Sequence, residues 1–454
     1  MPRQLALLIC IILILYLFWI DRKNNEGVSR AIWIPFIWML IAGSRFVSHW
    51  LNLAPPMSAD VYFEGSPVDR ATFTILMLGG IIILVRRRLN WSELFRKNVW
   101  IWLFFIFGAI SILWSDYPFV ASKRWFKALG NVIMVLIILT EGRPYAALGV
   151  ILRRFSFLLL PLSVLFIKFY PDLGRAYHMG QPMFTGVAGQ KNGLGAICLL
   201  SGIYYSWNLL LSRSAVYASG KRLHYSVYFI IVPMIVWLLY MANSATSLAC
   251  LIVTLCLFAV ARQPAMVSNP QRILYLGIAC VVLFGIMDIA FDVTDAVIAM
   301  LGRRTDLTTR VPMWEDLLTM VKNPLVGFGY ESFWFGPRQE IVLERWGLSG
   351  NAHNGYLQMY LDLGYIGLFF VMAWILSGLR KVSRNLIVDY PVAVLRLCFI
   401  VVASLFNYTE AAFFGVSNMW IIFLLGIMDG AGSQESPHKF ENVEGTHSEI
   451  LHFN

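Results

Sequence analysis

Residues 350–370 read GNAHNGYLQMYLDLGYIGLFF. The stretch begins polar and ends as an apolar run of the kind that crosses a membrane. His353 and Asn354 lie just outside that run, and Gly364 and Gly367 lie within it. Asn354 is placed to cap the helix that follows. A helix start carries unsatisfied N–H groups and partial positive charge, where anions settle. A histidine at such a point is biased towards its neutral form and accepts a proton near pH 7. The same residues also fit an architectural reading, a capped helix with two small residues for close packing.

Composition agrees with a membrane. The 454 residues are 58% apolar and 14% charged, where a soluble domain carries about a quarter charged residues. The net charge of +10 is scattered between apolar runs rather than gathered on one basic face. Topology explains it better than nucleic-acid binding. All six cysteines (Cys10, Cys198, Cys250, Cys256, Cys280, Cys398) fall inside apolar runs and read as buried packing residues.

Hydropathy predicts an all-α polytopic protein with about 12–13 transmembrane helices and one long, partly helical loop. The spans are roughly Leu5–Ile20, Ala31–Val47, Ala71–Val85, Val99–Trp114, Ala128–Thr140, Phe155–Phe169, Asn192–Leu211, Tyr225–Met241, Thr246–Ala261, Ile273–Ala290, Gly355–Leu379, Val392–Asn407 and Ser417–Met428. Leu5–Ile20 reads as a retained span, because no small-x-small cleavage site follows it. The chain divides into residues 1–290 with the first ten spans, a long loop at 291–354, the last three spans at 355–429 and a flexible tail at 430–454. Lys and Arg concentrate on one side, in loops such as Arg86-Arg87-Arg88 and Arg380-Lys381. That side is expected to be cytoplasmic. His49–Arg70, Ser115–Lys127, Tyr170–Lys191 and the long loop are then periplasmic. In the long loop, Trp314, Leu317, Leu318 and Val321 follow Pro312 at helical spacing, and Asn323-Pro324 stops that helix.

Three patches run in order along the chain: Gly186-Val-Ala-Gly-Gln190-Lys191-Asn192-Gly-Leu-Gly195, then Arg310-Val-Pro-Met-Trp314 with Asn323-Pro-Leu-Val-Gly-Phe-Gly329, then His353-Asn354 followed after nine residues by Gly364-x-x-Gly367. Together they resemble the bacterial O-antigen ligase and Wzy-type polymerase superfamily. Among its members the chain looks most like the repeat-unit polymerases of acidic exopolysaccharides. The resemblance implies a GT-C-like glycosyltransferase of the bacterial inner membrane, with its active face periplasmic. It implies an undecaprenyl-pyrophosphate-linked glycan as donor, inversion at the anomeric carbon, and neither metal nor cofactor. Lipid-linked glycan, membrane lipid and a chain-length regulator protein are the expected partners, and nucleic acid is not.

Such a transfer must neutralise a departing pyrophosphate, hold an acceptor hydroxyl in line and remove its proton. Arginine forks suit the first requirement; a base with a pKa near ambient pH suits the last. His353 is the candidate base, or alternatively a pyrophosphate donor group, with Asn354 and Tyr356 orienting it or the sugar. Arg310 is the first candidate cation, against a surface ion pair with Asp306 or Glu315. Arg303 and Arg304 either bind phosphate or mark the headgroup region. Arg70, Arg175 and Lys191 are further candidate substrate cations, each against an interfacial-anchor reading. Lys191 is favoured because it opens a span. Trp314 is a candidate for sugar stacking, against loop core. Relatives carry a cation where this chain has Asn243-Ser244-Ala245-Thr246-Ser247, so hydroxyls or Lys191 and Arg175 would take over there. Within the family the alternative is a ligase that moves glycan to lipid A-core. From another class the alternative is a polysaccharide transporter or flippase, for which charges at the midplane are the mark. Arg396 and Glu410 are the charges that fit it best.

Overall fold

The computed structural model describes residues 1–22, 27–53, 65–178, 180–211, 225–291, 310–347, 350–413 and 415–430. Each of the thirteen apolar segments is helical over most of its length. Apart from short helices at Val47–Trp50, Trp91–Lys97, Pro171–Gly174 and Pro264–Val267, the helices begin with α1 (Arg3–Arg22), α2 (Trp33–Gly43), α3 (Pro67–Arg86), α4 (Val99–Ser111), α5 (Pro118–Leu139), α6 (Pro144–Phe169) and α7 (Lys191–Leu210). Next come α8 (Tyr225–Ala242), α9 (Ala245–Ala261) and α10 (Gln271–Phe291). Two short helices, α11 (Arg310–Thr319) and α12 (Pro337–Trp346), precede α13 (Gly355–Val388), α14 (Tyr390–Thr409) and α15 (Asn418–Ile427). A hairpin of β1 (Arg175–His178) and β2 (Gln181–Phe184) joins α6 to α7.

Seven helices, α1, α3, α6, α7, α8, α13 and α14, are long and apolar enough to cross a membrane. Residues Trp91–Lys97 with Val99–Trp114 add one bent pair. The protein is an all-helical polytopic membrane protein. Its centre is α14, 83% of whose apolar window is buried, packed against α13, α15, α9 and α10.

Several boundaries differ from the hydropathy reading, and side-chain pairing explains one of them. The span expected to start at Phe155 starts at Pro144, which suits a first helical turn. Arg153 and Arg154 are carried inside it because both donate to Asp21 of α1 at 2.8 Å. The expected loop Ser115–Lys127 is mostly the first half of α5, which again starts at a proline. In α11 the buried face is Met313 and Leu317, while Leu318 is 47% exposed and Val321 lies beyond the helix end. Cys10, Cys198, Cys250 and Cys398 are buried as expected, but Cys256 is exposed and Cys280 is intermediate. Both of these lie on helices whose outer faces are apolar. Arg396 is 1% exposed and sits at the end of α15, donating to the carbonyls of Gly426 and Met428 at 3.0 Å and pairing with Asp429 at 2.9 Å. Those carbonyls are the negative end of the helix. The tail 431–454, expected to be flexible, lies outside the described residues.

The Tyr170 hydroxyl donates to the Arg3 carbonyl at 3.3 Å, so the start of α1 and the end of α6 share one face of the bundle. Ser115 meets Ser332 at 2.7 Å and ties the α4–α5 turn to the long segment that leads to His353.

Candidate active site

The segment that presents His353 is built on a small apolar core of its own. Met313, Leu317, Phe333, Trp334, Val342 and Ala352 bury one another together with Leu361 of α13. A chain of hydrogen bonds runs through this core. Asp362 accepts from the backbone N–H of Phe333 (3.0 Å) and from the Gln358 amide (2.7 Å). The Gln358 oxygen accepts from Trp334 Nε1 (2.7 Å) and the Ala352 N–H (3.2 Å). The Ala352 carbonyl accepts from Trp314 Nε1 at 2.8 Å. The Trp314 indole N–H thereby anchors the loop, and its ring is partly buried against this core.

The Gly364-x-x-Gly367 motif does something other than pack two helices. Gly364 has φ 62° and ψ −156° and breaks α13. The loop Asn323–Gly329 enters the break. Tyr365 N–H donates to the Pro324 carbonyl (2.8 Å) and Ile366 N–H to Leu325 (3.2 Å). In return, Phe328 and Gly329 donate to the carbonyls of Leu361 (3.1 Å) and Asp362 (2.8 Å). A helix can be broken at membrane depth only where the freed backbone groups find partners; here a second motif supplies them. Gly327 faces the same contact, since a Cβ there would lie 2.6 Å from the Asp362 carbonyl carbon.

His353 is held between these anchors and the helix cap. Its backbone is left-handed, φ 49°, a conformation uncommon outside glycine. Its N–H donates to Asn351 Oδ1 at 2.9 Å. Asn354 caps α13 as expected, accepting from Tyr356 and Leu357 N–H at 3.0 Å each. The Gly355 N–H donates to the Glu410 carbonyl at 3.1 Å. The first N–H groups of α13 are therefore all occupied, and this helix start does not receive an anion.

The start of α7 does remain open. Its first residue follows Gln190, whose side chain makes no cap bond. The backbone N–H groups of Lys191, Asn192 and Gly193 have no partner among the described residues. Asn192 Nδ2 donates to Glu410 Oε1 at 2.5 Å, and Glu410 Oε2 lies 3.7 Å from His353 Nδ1. That nitrogen is buried without a hydrogen-bond partner among the described residues. Alongside, Thr246 Oγ1 of α9 meets Thr409 Oγ1 of α14 at 2.5 Å, and Ser244 caps α9. Three helix starts (α7, α9, α13) thus meet the end of α14, with His353, Glu410 and Asn192 at their junction.

The other candidates are distributed as follows. Tyr356 turns away from His353. Its hydroxyl donates to the Ser404 carbonyl at 3.0 Å and its ring stands against Phe413, so it fastens α13 to α14. Arg175 donates to the Ile167 carbonyl from Nε (3.2 Å) and Nη2 (2.9 Å), at the C-terminal end of α6, and lies over Phe184. Arg70 is exposed in the first turn of α3. Arg303 and Arg304 lie outside the described residues. Arg310 begins α11, and its side chain lies outside them too. Glu410 is the residue that the site reading did not include. Sequence marked it only as a charge close to an apolar run, and nothing local connects it with a histidine 57 positions earlier.

Residues 193–372 match the family model described as O-antigen ligase. The chain is also similar to the exopolysaccharide production protein ExoQ of Rhizobium meliloti (strain 1021), at 26% identity over 300 residues. That alignment covers 60% of this chain and 62% of the relative. The chain thus spans less than two thirds of that relative's length. No solved structure matches. The matched family segment contains the Arg310–Trp314 patch, the Asn323–Gly329 loop, His353-Asn354 and both motif glycines. Lys191, Asn192 and Glu410 lie outside it, so the junction draws in part on residues beyond the family segment.

Proposed function

We propose that this chain, with its O-antigen-ligase-type segment, is a glycosyltransferase that polymerises undecaprenyl-pyrophosphate-linked repeat units into exopolysaccharide on the periplasmic face of the inner membrane. The observation that carries this reading is the junction of His353, Glu410 and Asn192 beside the open start of α7. Lys191 and the α7 N–H groups receive the donor's pyrophosphate, with Arg310 as a further cation. The exposed side of the His353 ring takes the proton of the acceptor hydroxyl. Glu410 faces Nδ1 of the same ring and stabilises the imidazolium that forms. The hydroxyl oxygen bonds to the anomeric carbon as the bond to the pyrophosphate oxygen breaks, which inverts that carbon and releases the carrier lipid pyrophosphate. The chain's own cations balance the leaving group, so the step requires no metal.

Apo catalytic contacts are often long and tighten with substrate, so the 3.7 Å separation of His353 and Glu410 fits a resting site. Glu410→Gln retains an acceptor for Asn192 but removes the charge. Transfer is expected to fall roughly 10²-fold, the lower end of general-base contributions. An unchanged initial rate removes Glu410 from the mechanism.

The ligase reading rests on the family description, and similarity to a protein of exopolysaccharide production supports a role in making that polymer. Transport is favoured less, because Arg396 and Glu410 are each paired within the fold, with Asp429 and with Asn192. The test is purified protein in proteoliposomes with lipid-linked repeat units. A ladder of lengthening glycan with release of carrier pyrophosphate supports polymerisation. Transfer only when lipid A-core is added supports the ligase. Translocation without a new glycosidic bond overturns the enzyme reading.

A further inference from the structure

The loop that carries Glu410 has a second flank. Gly415 N–H donates to Glu331 Oε1 at 3.2 Å, so this loop links the His353 junction to the first half of α5. Glu331 is left-handed, φ 45°, like His353. Among the described residues only five non-glycine positions have positive φ, and these two stand on opposite flanks of the one loop. Glutamate gains nothing locally from this conformation, and such strain persists where the surroundings enforce it.

Glu331 faces Arg124 of α5, one turn before Lys127. Arg124 Nη1 lies 3.7 Å from Glu331 Oε2 and donates to the Glu331 carbonyl at 3.3 Å, with its guanidinium 4.4 Å over Phe335. Lys127 is the less usual of the two. Its ammonium stands 5.5 Å from the rings of both Phe46 and Phe73. It makes no hydrogen bond or ion pair within the described residues. The nearby Asp69 carboxylate is already occupied by the Ser48 N–H (2.9 Å) and hydroxyl (2.6 Å). Among the described residues this lysine, drawn in among aromatic faces, has no acceptor, and such a donor is in want of an anion.

We infer that Arg124 and Lys127 form a second anion site, which receives the charged group of the acceptor glycan-lipid while the donor occupies the α7 side. This rests on the glycosyltransferase reading above, which requires two lipid-linked substrates at once. Glu331 serves the site in two ways. It neutralises Arg124 when the site is empty, and through Gly415 it couples occupancy to the loop that holds Glu410. Two sources share the chemistry, the acceptor's pyrophosphate and a carboxylate on its sugars.

The experiment is native mass spectrometry of the full-length protein with two probes, polyprenyl pyrophosphate and a soluble oligogalacturonide. Wild type is expected to bind two polyprenyl pyrophosphates. Lys127→Gln should bind one, with affinity for the second reduced at least about tenfold, and Lys127→Arg should restore the second. If wild type binds one polyprenyl pyrophosphate and one oligogalacturonide, and Lys127→Gln loses only the latter, the sugar carboxylate is the ligand. Undiminished binding of both probes to Lys127→Gln overturns the inference, as does loss of both from a variant that melts like wild type. If Lys127→Gln fails to fold, Arg124→Gln is read in the same way. Wild type that binds no polyprenyl pyrophosphate fails the glycosyltransferase reading itself, whereas wild type that binds one pyrophosphate lipid and no oligogalacturonide fails only the second site.

Discussion

Replacing His353 with alanine should lower glycan transfer by about 10²- to 10⁴-fold, the range a positioned general base contributes. Lipid-linked single units should accumulate as long polymer disappears. Alanine alone leaves an ambiguity, because residue 353 sits at φ 49° and a left-handed alanine carries backbone strain. His353→Asn removes it. Asparagine tolerates the left-handed region and keeps a polar side chain, but it is no base. Both variants should therefore lose transfer, while His353→Asn melts close to wild type. The measurement is initial rate in proteoliposomes beside a thermal melt. Transfer at the wild-type rate from His353→Asn excludes His353 as the base and leaves it an architectural residue of the α13 start.

Gly364→Ala should be among the most damaging changes of a single atom in this chain. A Cβ at Gly364 would lie 2.4 Å from the carbonyl carbon and oxygen of Leu325 and 2.5 Å from the Pro324 oxygen. These are backbone atoms and cannot rotate aside. The conformation, φ 62° with ψ −156°, is itself open essentially to glycine alone. Relief requires the Asn323–Gly329 loop to leave the break in α13, which strands four backbone hydrogen bonds in apolar surroundings. The expected loss is about 4 kcal/mol or more, in the exceptional range for one substitution. It would be read as a lower melting temperature and as new protease cleavage in 310–354. Gly285→Ala is the control. A Cβ there meets nothing within 4 Å, and alanine is the better helix former by up to about 1 kcal/mol, so this variant should melt no lower than wild type. Equal melts for the two variants would mean that loop and break do not depend on each other.

The helical segments were legible because lipid imposes one rule on every crossing: about twenty apolar residues, all backbone groups bonded internally. The rule blurred where charge entered a helix. Arg153 and Arg154 hid the first turns of α6, since only the packed structure supplies Asp21 from α1. Lys123, Arg124 and Lys127 likewise made the first half of α5 resemble a loop.

The candidate site divides along the same line. By itself the sequence determined the membrane class, the order of the three motifs, and the placing of His353 and Asn354 at a helix start. Those follow from local composition and from spacing along one chain. Only the tertiary structure decided which partners these residues have. It shut the start of α13 to anions and left that of α7 open. It brought Glu410 to His353 and turned Tyr356 towards Ser404. It set the Asn323–Gly329 loop into the break at Gly364. The physical reason is that each of these depends on a hydrogen bond or a close approach between segments far apart in the chain. Hydropathy and helical period report on neighbours within a few turns, so neither carries any record of such contacts.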